Sequence, residues 1–300
     1  MRGLLLTAAA AGVLAAGAAN ADDPGRTVAG AGGRFLTSIQ SSGAASGFSA
    51  AQTAVMRGHA AKAAELLRSV PSVSNPQPPA CALIFGREGP SIFGRVVAAS
   101  IAVTTPEVEP DGSCGVKTEM SSAIHLNQPI GLPGPRPEGG SGDGHWEMLP
   151  IVTMRPGYLE LPDRVYFHES RAELVSPVSA ERYAREQLRQ LTDGGRHDGG
   201  PLAEEWTRRL QVWSAAERAS DACLDADLLF VSPDNACALD RRAYEFNKDF
   251  FDTSRPSDVQ VVGFHYPDAH SIESAASWSV REPIPRMLDR QALAGLLARP

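Results

Sequence analysis

The stretch IFGRVVAASIAVTTPEVEPDGSCGVKTEMSSAIHL, residues 92–126, contains two runs of strand-forming residues joined by a turn. Ile92–Thr104 and Gly115–Leu126 are rich in Val, Ile and Thr, which are enriched in β-strands. Between them, Glu109-Pro110-Asp111-Gly112 has the composition of a turn. The stretch therefore predicts a β-hairpin, and a third strand is predicted just before it at Ala82–Phe85.

On the N-terminal side of these strands, the spacing of apolar residues predicts a helix from Ser49 to about Val70. Apolar residues recur there at helical intervals, and Pro71 is expected to stop the helix. Residues 22–47 consist mostly of Gly, Ala, Ser and Thr, with Phe35-Leu36 as their one bulky pair. Such a composition buries little apolar surface, so we expect a flexible lead-in over residues 22–47.

On the C-terminal side, nine of the 14 residues of Gly131–Gly144 are Gly or Pro, which predicts a loop or linker. This linker would separate a part with one helix and several strands, residues 48–130, from a mainly helical α+β part, residues 145–300. The elements predicted after the linker are strands at His145–Met154, Tyr158–Phe167 and Asp258–Tyr266 and helices at Ser176–Leu191, Pro201–Leu224, Ser232–Phe250 and Pro285–Leu297. Strands followed by helices and a late strand indicate an α+β fold class.

The first 21 residues have the pattern of a secretory signal peptide. Arg2 provides a positive start, and Leu4–Ala19 is an uncharged apolar run that is short and mostly alanine. Ala19-Asn20-Ala21 offers the small-x-small pattern that signal peptidase cleaves, which would leave Asp22 as the new N-terminus. We therefore expect an exported protein, periplasmic or secreted, with no membrane span in the mature chain.

The net charge and the length of the chain indicate which classes of protein the sequence fits. The chain of 300 residues has a net charge of −7, whereas a nucleic-acid-binding protein normally concentrates basic charge on one face. We therefore expect no nucleic-acid partner. The length is ample for a hydrophobic core that needs no metal to hold it together.

Four cysteines lie in the expected mature chain: Cys81, Cys114, Cys223 and Cys237. In an oxidising compartment an even number favours two disulfides, and four cysteines allow three pairings. Their split into an N-terminal and a C-terminal pair favours 81–114 and 223–237. A zinc site would favour C-x-x-C, which the sequence does not contain.

One short motif has metal-ligand chemistry. His265-Tyr266-Pro267-Asp268-Ala269-His270 follows an apolar strand, and His265, Asp268 and His270 could ligate zinc or manganese. A metal-bound water would then be the nucleophile for hydrolysis, with His145 or His168 as a further ligand. The alternative is an ordinary turn in which Asp268 bonds local backbone donors.

Two weaker clusters lie in the predicted helical part. Asp221, Asp225 and Asp227 could bind calcium or act as an acid–base pair, but a solvated acidic patch is the favoured interpretation. An aromatic set could line a ligand groove, but its 3–4 spacing also fits the inner stripe of packed helices. The set is Trp206, Trp213, Tyr244, Phe246, Phe250 and Phe251.

Several common catalytic signatures do not occur in the sequence. There is no G-x-x-x-x-G-K-[ST], no G-x-S-x-G and no S-x-x-K. We therefore expect a non-catalytic envelope-associated factor that binds a protein or other envelope partner, or serves structurally, with no cofactor. The alternatives are a metal-dependent hydrolase using His265, Asp268 and His270, and a secreted small-ligand-binding module with a pocket between the sheet and the helices.

Overall fold

The predicted hairpin lies at the centre of a large sheet. The structure, a computed structural model, describes residues 34–40, 47–77, 80–92, 95–111, 113–132, 147–193, 200–224, 230–234, 236–247, 249–266 and 275–298. The expected signal peptide and its cleavage site at Ala19, Ala21 and Asp22 lie outside these residues. Within the described ranges, no helix combines the length and the apolar character that crossing a bilayer requires.

The secondary structure mixes strands and helices throughout, which confirms the α+β class. The strands are β1 (Arg34–Gln40), β2 (Cys81–Pro90), β3 (Val97–Val108), β4 (Cys114–Leu126), β5 (Glu147–Met148), β6 (Thr153–Arg155), β7 (Tyr158–Leu161), β8 (Arg164–His168), β9 (Val175–Pro177), β10 (Ala222–Leu224), β11 (Val231–Pro233), β12 (Ala243–Phe246) and β13 (Val261–His265). The helices are α1 (Ala50–Arg68), α2 (Pro71–Ser74), α3 (Ala180–Asp193), α4 (Gly200–Val212), α5 (Ala215–Ala219), α6 (Ala275–Arg281), α7 (Ile284–Met287) and α8 (Arg290–Ala294), and Leu239–Arg241 forms a 3-10 turn.

Eight strands form the large sheet in the order β1-β2-β3-β4-β13-β8-β7-β6. The β1–β2 pair is parallel, and the other neighbours are antiparallel. Strand β13 therefore lies between two strands that come from opposite sides of the Gly/Pro-rich stretch 131–144. Two smaller sheets have the strand orders β5-β12-β9 and β10-β11.

The N-terminal helix forms as predicted. Ser49 caps α1, since its hydroxyl accepts from the Gln52 N–H while the Gln52 side chain accepts from the Ser49 N–H. The apolar stripe of α1 packs on β2 and β3, with Met56 and Leu67 fully buried. Helix α1 thus covers one face of the sheet and connects the parallel strands β1 and β2.

Part of the expected flexible lead-in is a strand. Residues 34–40 form β1, whose register with β2 runs from Arg34 opposite Cys81 to Gln40 opposite Arg87. The bulky pair Phe35-Leu36 lies inside this strand, although the composition of residues 22–47 predicted a flexible segment. The composition of residues 22–47 does not predict β1, because β1 is held by backbone hydrogen bonds to β2, which lies more than 40 residues later in the chain.

The helices predicted after residue 175 are shorter than expected, and one is absent. Ser176 and Pro177 belong to β9, and the segment predicted as one helix from Pro201 to Leu224 is divided into α4, α5 and β10. The helix predicted at 232–250 is wrong, because Tyr244 and Phe246 alternate with the partly exposed Glu245 on strand β12. The two-residue spacing of Tyr244 and Phe246 is typical of a strand, whereas the four-residue spacing of Phe246 and Phe250 is typical of a helix.

Candidate functional site

A polar strip crosses the face of the large sheet that α1 does not cover. Strand register places five residues in one row, from β2 to β8: Arg87, Ser100, His125, Gly263 and Tyr166. The next row on the same face consists of Phe85, Ala102, Ala123, His265 and Arg164. Residues that pair directly on adjacent strands share a face of the sheet. We call these two rows the polar strip.

His125 is the more buried of the two histidines of the strip. Its side chain Nδ1 lies 2.8 Å from the Ser100 Oγ, and the residue is 7% exposed. Burial, followed by electrostatic repulsion from His265 and from Arg164, lowers the pKa of His125 to about 3. His125 is therefore neutral at physiological pH and is a very weak base.

In the second row of the strip, Arg164 and His265 both lie against the carboxylate of Asp163. Arg164 binds the carboxylate of Asp163 through Nε, at 2.8 Å, and through Nη2. His265 Nε2 lies 3.5 Å from Asp163 Oδ2. Burial acts to raise the pKa of Asp163, but hydrogen bonds from His265 and Arg164 hold it well below its usual value. Asp163 therefore remains a carboxylate that can orient both side chains.

Two hydrogen bonds join the segment after β4 to side chains of the strip. Arg164 Nη1 and Tyr166 OH both donate to the carbonyl of Ile130, at 2.9 and 2.6 Å. Gly131 follows with a φ of 86°, and a Cβ at that position would collide with the Arg164 guanidinium. Glycine is therefore required where this segment passes the arginine.

Gly263 allows His125 and Tyr166 to lie on either side of β13. A Cβ at Gly263 would lie 3.1 Å from Tyr166 Cδ1 and 3.7 Å from His125 Cβ. The Tyr166 ring therefore occupies the space that a side chain at position 263 would need.

The predicted metal ligands are only partly placed. His265 ends β13, as expected, whereas Asp268, His270 and His145 lie outside the described residues. His168 is buried against the Phe250 ring, four residues along β8 from Arg164, which is about 13 Å at the usual rise of a strand. His168 is therefore too far along the strand to join His265 at one ion. No group of three potential ligands occurs among the residues that the structure describes.

The other two predicted clusters have structural roles where they are visible. Asp221 pairs with Arg242 at 3.2 Å, and Asp225 and Asp227 lie outside the described part of the chain. Most of the aromatic set is buried in two hydrophobic clusters, as the packing alternative expected. The buried members are Trp206, Tyr244, Phe246, Phe250 and Phe251, and Trp213 is partly buried.

An open groove of about 760 Å³ lies between α3 and α4. Three arginines line it, and each forms an ion pair with a glutamate on its own helix. The pairs are Arg185–Glu181, Arg189–Glu186 and Arg208–Glu205. These local pairs account for the basic residues of the groove, so the polar strip is the better candidate site.

Sequence reasoning named only His265 among the residues of the strip. Ser100 and His125 are 25 residues apart and follow no known motif, so their contact depends on the strand register. The available signals were a histidine inside the apolar run Ala123-Ile124-His125-Leu126 and a glycine inside β13. Comparison of the chain with protein-family models, with curated proteins and with solved structures gives no match.

Proposed function

We propose that the chain is an exported, non-catalytic binding protein whose polar strip contacts the partner. The observation that carries this proposal is the pairing of Ser100 with a histidine whose pKa is about 3. A serine nucleophile needs a neighbouring base whose pKa is near the working pH. His125 is too weak a base for that role, so the pair serves as a hydrogen-bonding group.

The chemistry of the strip favours a partner that carries a carboxylate. Arg87 is exposed at one end, Ser100 is half-buried in the middle, and His265 is 30% exposed beside Asp163. These groups offer hydrogen-bond donors, and Arg87 adds a positive charge. These exposed groups lie on β2, β3 and β13, which span about 14 Å at the usual strand spacing, and this length suits a short extended ligand such as a peptide C-terminus.

The test of binding is an NMR titration of isotope-labelled protein with N-acetyl-Ala-Ala and with its C-terminal amide. We expect amide shifts at Ser100, His125 and Gly263 with the free carboxylate, and much weaker shifts with the amide. Arg87→Ala should weaken the response, whereas the distant Arg185→Ala should leave it unchanged. Equal shifts with both peptides, or shifts confined to other surfaces, would contradict the assignment.

The test of the non-catalytic part uses p-nitrophenyl acetate. We expect no burst of p-nitrophenol beyond the background that Ser100→Ala also gives. A burst stoichiometric with protein and absent in Ser100→Ala would show an acylated serine and overturn the proposal.

Export is supported by the pattern of residues 1–21. Expression of the full chain in a bacterium with a general secretory system, followed by mass measurement of the periplasmic and medium fractions, tests it. A mature chain beginning at Asp22 is expected in one of these fractions. Retention of the uncleaved chain in the cytosol would contradict export.

One observation keeps metal-dependent hydrolysis as a second candidate. The carboxylate of Asp163, which the sequence motif did not include, lies 3.5 Å from His265 at the end of β13. Asp268 and His270 follow within five residues and could complete a zinc or manganese site that activates water. Stoichiometric metal in the purified protein, lost in His265→Ala, would favour this candidate over the binding protein.

A further inference from the structure

Strand β1 is an edge of the large sheet. It stands first in the strand order, and within the described residues β2 is the one strand that pairs with it. In a parallel pair, alternate residues of a strand direct both their N–H and their C=O groups toward the neighbour, and the residues between them direct theirs away. About half of the backbone groups of Arg34–Gln40 therefore face outward from the sheet.

The sequence of β1 lacks the features that usually protect an edge strand. RFLTSIQ contains no proline, glycine or lysine, and all seven residues pair with β2 in one unbroken register. Natural edge strands are commonly very short, interrupted by a bulge, or protected by charge or proline. Helix α1 packs further into the sheet, on β2 and β3. Strand β1 is therefore a template on which another strand can pair.

The strand that holds β1 is itself fixed in the sheet. Cys81, which lies opposite Arg34, forms a disulfide with Cys114 of β4, as the sequence predicted. This bond joins β2 and β4, the two strands on either side of β3. A strand that adds to β1 would therefore extend a sheet whose neighbouring strands are covalently joined.

The positions of β1 are complementary to those of a second copy. When two copies lie antiparallel about a two-fold axis at Thr37, Phe35 lies opposite Ile39 of the copy and Leu36 lies opposite Ser38. Each pair joins two odd or two even positions, so outward-facing backbone groups meet outward-facing groups whichever set faces outward. About six to eight hydrogen bonds can form between the two strands.

The residue types paired in this way suit one another. Phe35 with Ile39 is an aromatic and β-branched pair, which occurs twice because of the two-fold axis, and Thr37 lies opposite its own copy. Pairs of both kinds stabilise antiparallel strands. Arg34 lies opposite Gln40, so no like charges are directly opposed, although each copy has a net charge of −7.

We propose that two copies of the chain associate through antiparallel pairing of their β1 strands, which makes one continuous sheet across the dimer. Such an interface is isologous and closes at two copies, because each β1 edge is then occupied. The proposal does not depend on the function proposed for the polar strip.

Analytical ultracentrifugation of the full chain over a range of concentrations tests the association. We expect a monomer–dimer equilibrium for the wild type. Thr37→Lys places two ammonium groups opposite each other at the axis and should raise the dissociation constant by at least about fivefold. Thr37→Val keeps a β-branched side chain, so it is the matched control and should associate as the wild type does. Circular dichroism checks that both variants are folded.

A cross-link tests the register. Thr37→Cys places two introduced thiols on Cα atoms about 4.5–5.5 Å apart, which a disulfide can span. Ser38→Cys is the control, because its own copy lies on the diagonal, about 7–8 Å away. Cys223 and Cys237 carry thiols in the structure rather than the bond that the sequence predicted. The new interchain bond is therefore identified by mass spectrometry of the digested protein.

Three results would overturn the proposal. The first is a wild-type chain that stays monomeric at every concentration, which is the outcome if another segment or another protein pairs with β1. The second is a Thr37→Lys variant that associates as strongly as Thr37→Val, which would place the contact elsewhere in the chain. The third is a Ser38→Cys variant that cross-links as readily as Thr37→Cys.

Discussion

Asn127 donates from its side chain to the carbonyl of Asp258 at 2.7 Å, across 131 residues of sequence. The same amide donates to the carbonyl of Val97, and its oxygen accepts from the backbone N–H groups of Gln260 and Val261. Asn127 is fully buried and has a φ of 53°. One side chain therefore joins the ends of β3 and β4 to the start of β13.

Replacing Asn127 should be among the most destabilising single changes in the chain. Asn127→Ala removes four hydrogen bonds and leaves buried backbone groups unpaired, so we expect a loss of about 3–5 kcal/mol of unfolding free energy. Asn127→Gly loses the same bonds but tolerates the positive φ, so it should be milder by about 1 kcal/mol. Urea denaturation measures both, and a loss below 1 kcal/mol for Asn127→Ala would contradict the role.

The buried carboxylate of Glu88 depends on Arg57. Glu88 is on β2 with a side chain 1% exposed, and Arg57 Nε of α1 donates to it at 3.0 Å. Arg57→Ala removes the arginine that pairs with this buried carboxylate, so we expect a loss of unfolding free energy larger than that of an exposed pair. Arg185→Ala, which breaks an exposed helix pair, is the matched control and should cost less than about 0.5 kcal/mol. Equal losses in urea denaturation would show that the location of the pair does not matter.

Gly263→Ala tests the close approach of Tyr166 to β13. The added Cβ must displace a tyrosine that is 1% exposed, so we expect a loss of about 1–3 kcal/mol of stability. Gly89→Ala is the control within the same sheet, because a Cβ there meets nothing within 4 Å. It should be neutral or stabilise the fold by up to about 1 kcal/mol. Thermal unfolding followed by circular dichroism compares the two variants, and equal melting temperatures would refute the contact.

His125 should make the fold less stable in acid. Its pKa is about 3 in the folded state and near 6.5 when unfolded, so the unfolded chain binds the extra proton between these values. Stability is therefore complete above pH 6.5 and falls by about 1.4 kcal/mol per pH unit as the pH drops toward 3. Burial also lowers the pKa of His59 and His168, which adds to the same slope.

His125→Gln isolates this contribution, because it leaves His59 and His168 in place. Urea denaturation at pH values from 7.5 to 4.5 should give a slope against pH that is shallower by about 1.4 kcal/mol per unit for the variant. Parallel profiles for the two proteins would mean that His125 is not held neutral by the fold.

Local signals predicted helix α1 and the hairpin of β3 and β4. Ser49 and the apolar stripe after it identified α1, and Pro110-Asp111-Gly112 identified the turn between β3 and β4. In both cases the determining contacts lie within the segment itself. The strand β13 was also predicted, since its run of Val and Phe residues is bounded by polar sequence.

Long-range pairing determined what the sequence did not predict. Strand β12 obtains its partners from β5 and β9, which lie some 70 to 100 residues earlier, so its aromatic spacing alone favoured a helix. The Ser100–His125 contact likewise requires the register of β3 against β4 and a neighbouring glycine on β13. Each residue is ordinary for its own strand, and only the sheet brings them together.

The position of β13 between β4 and β8 has a consequence for biosynthesis. Strands β4 and β8 are made early, but neither can obtain its central partner until His265 has left the ribosome. A nascent chain that ends before this point has an open gap in the middle of its sheet. The protein should therefore acquire its complete large sheet only after β13 has been synthesised, and truncations that remove β13 should be more sensitive to proteases than the full chain.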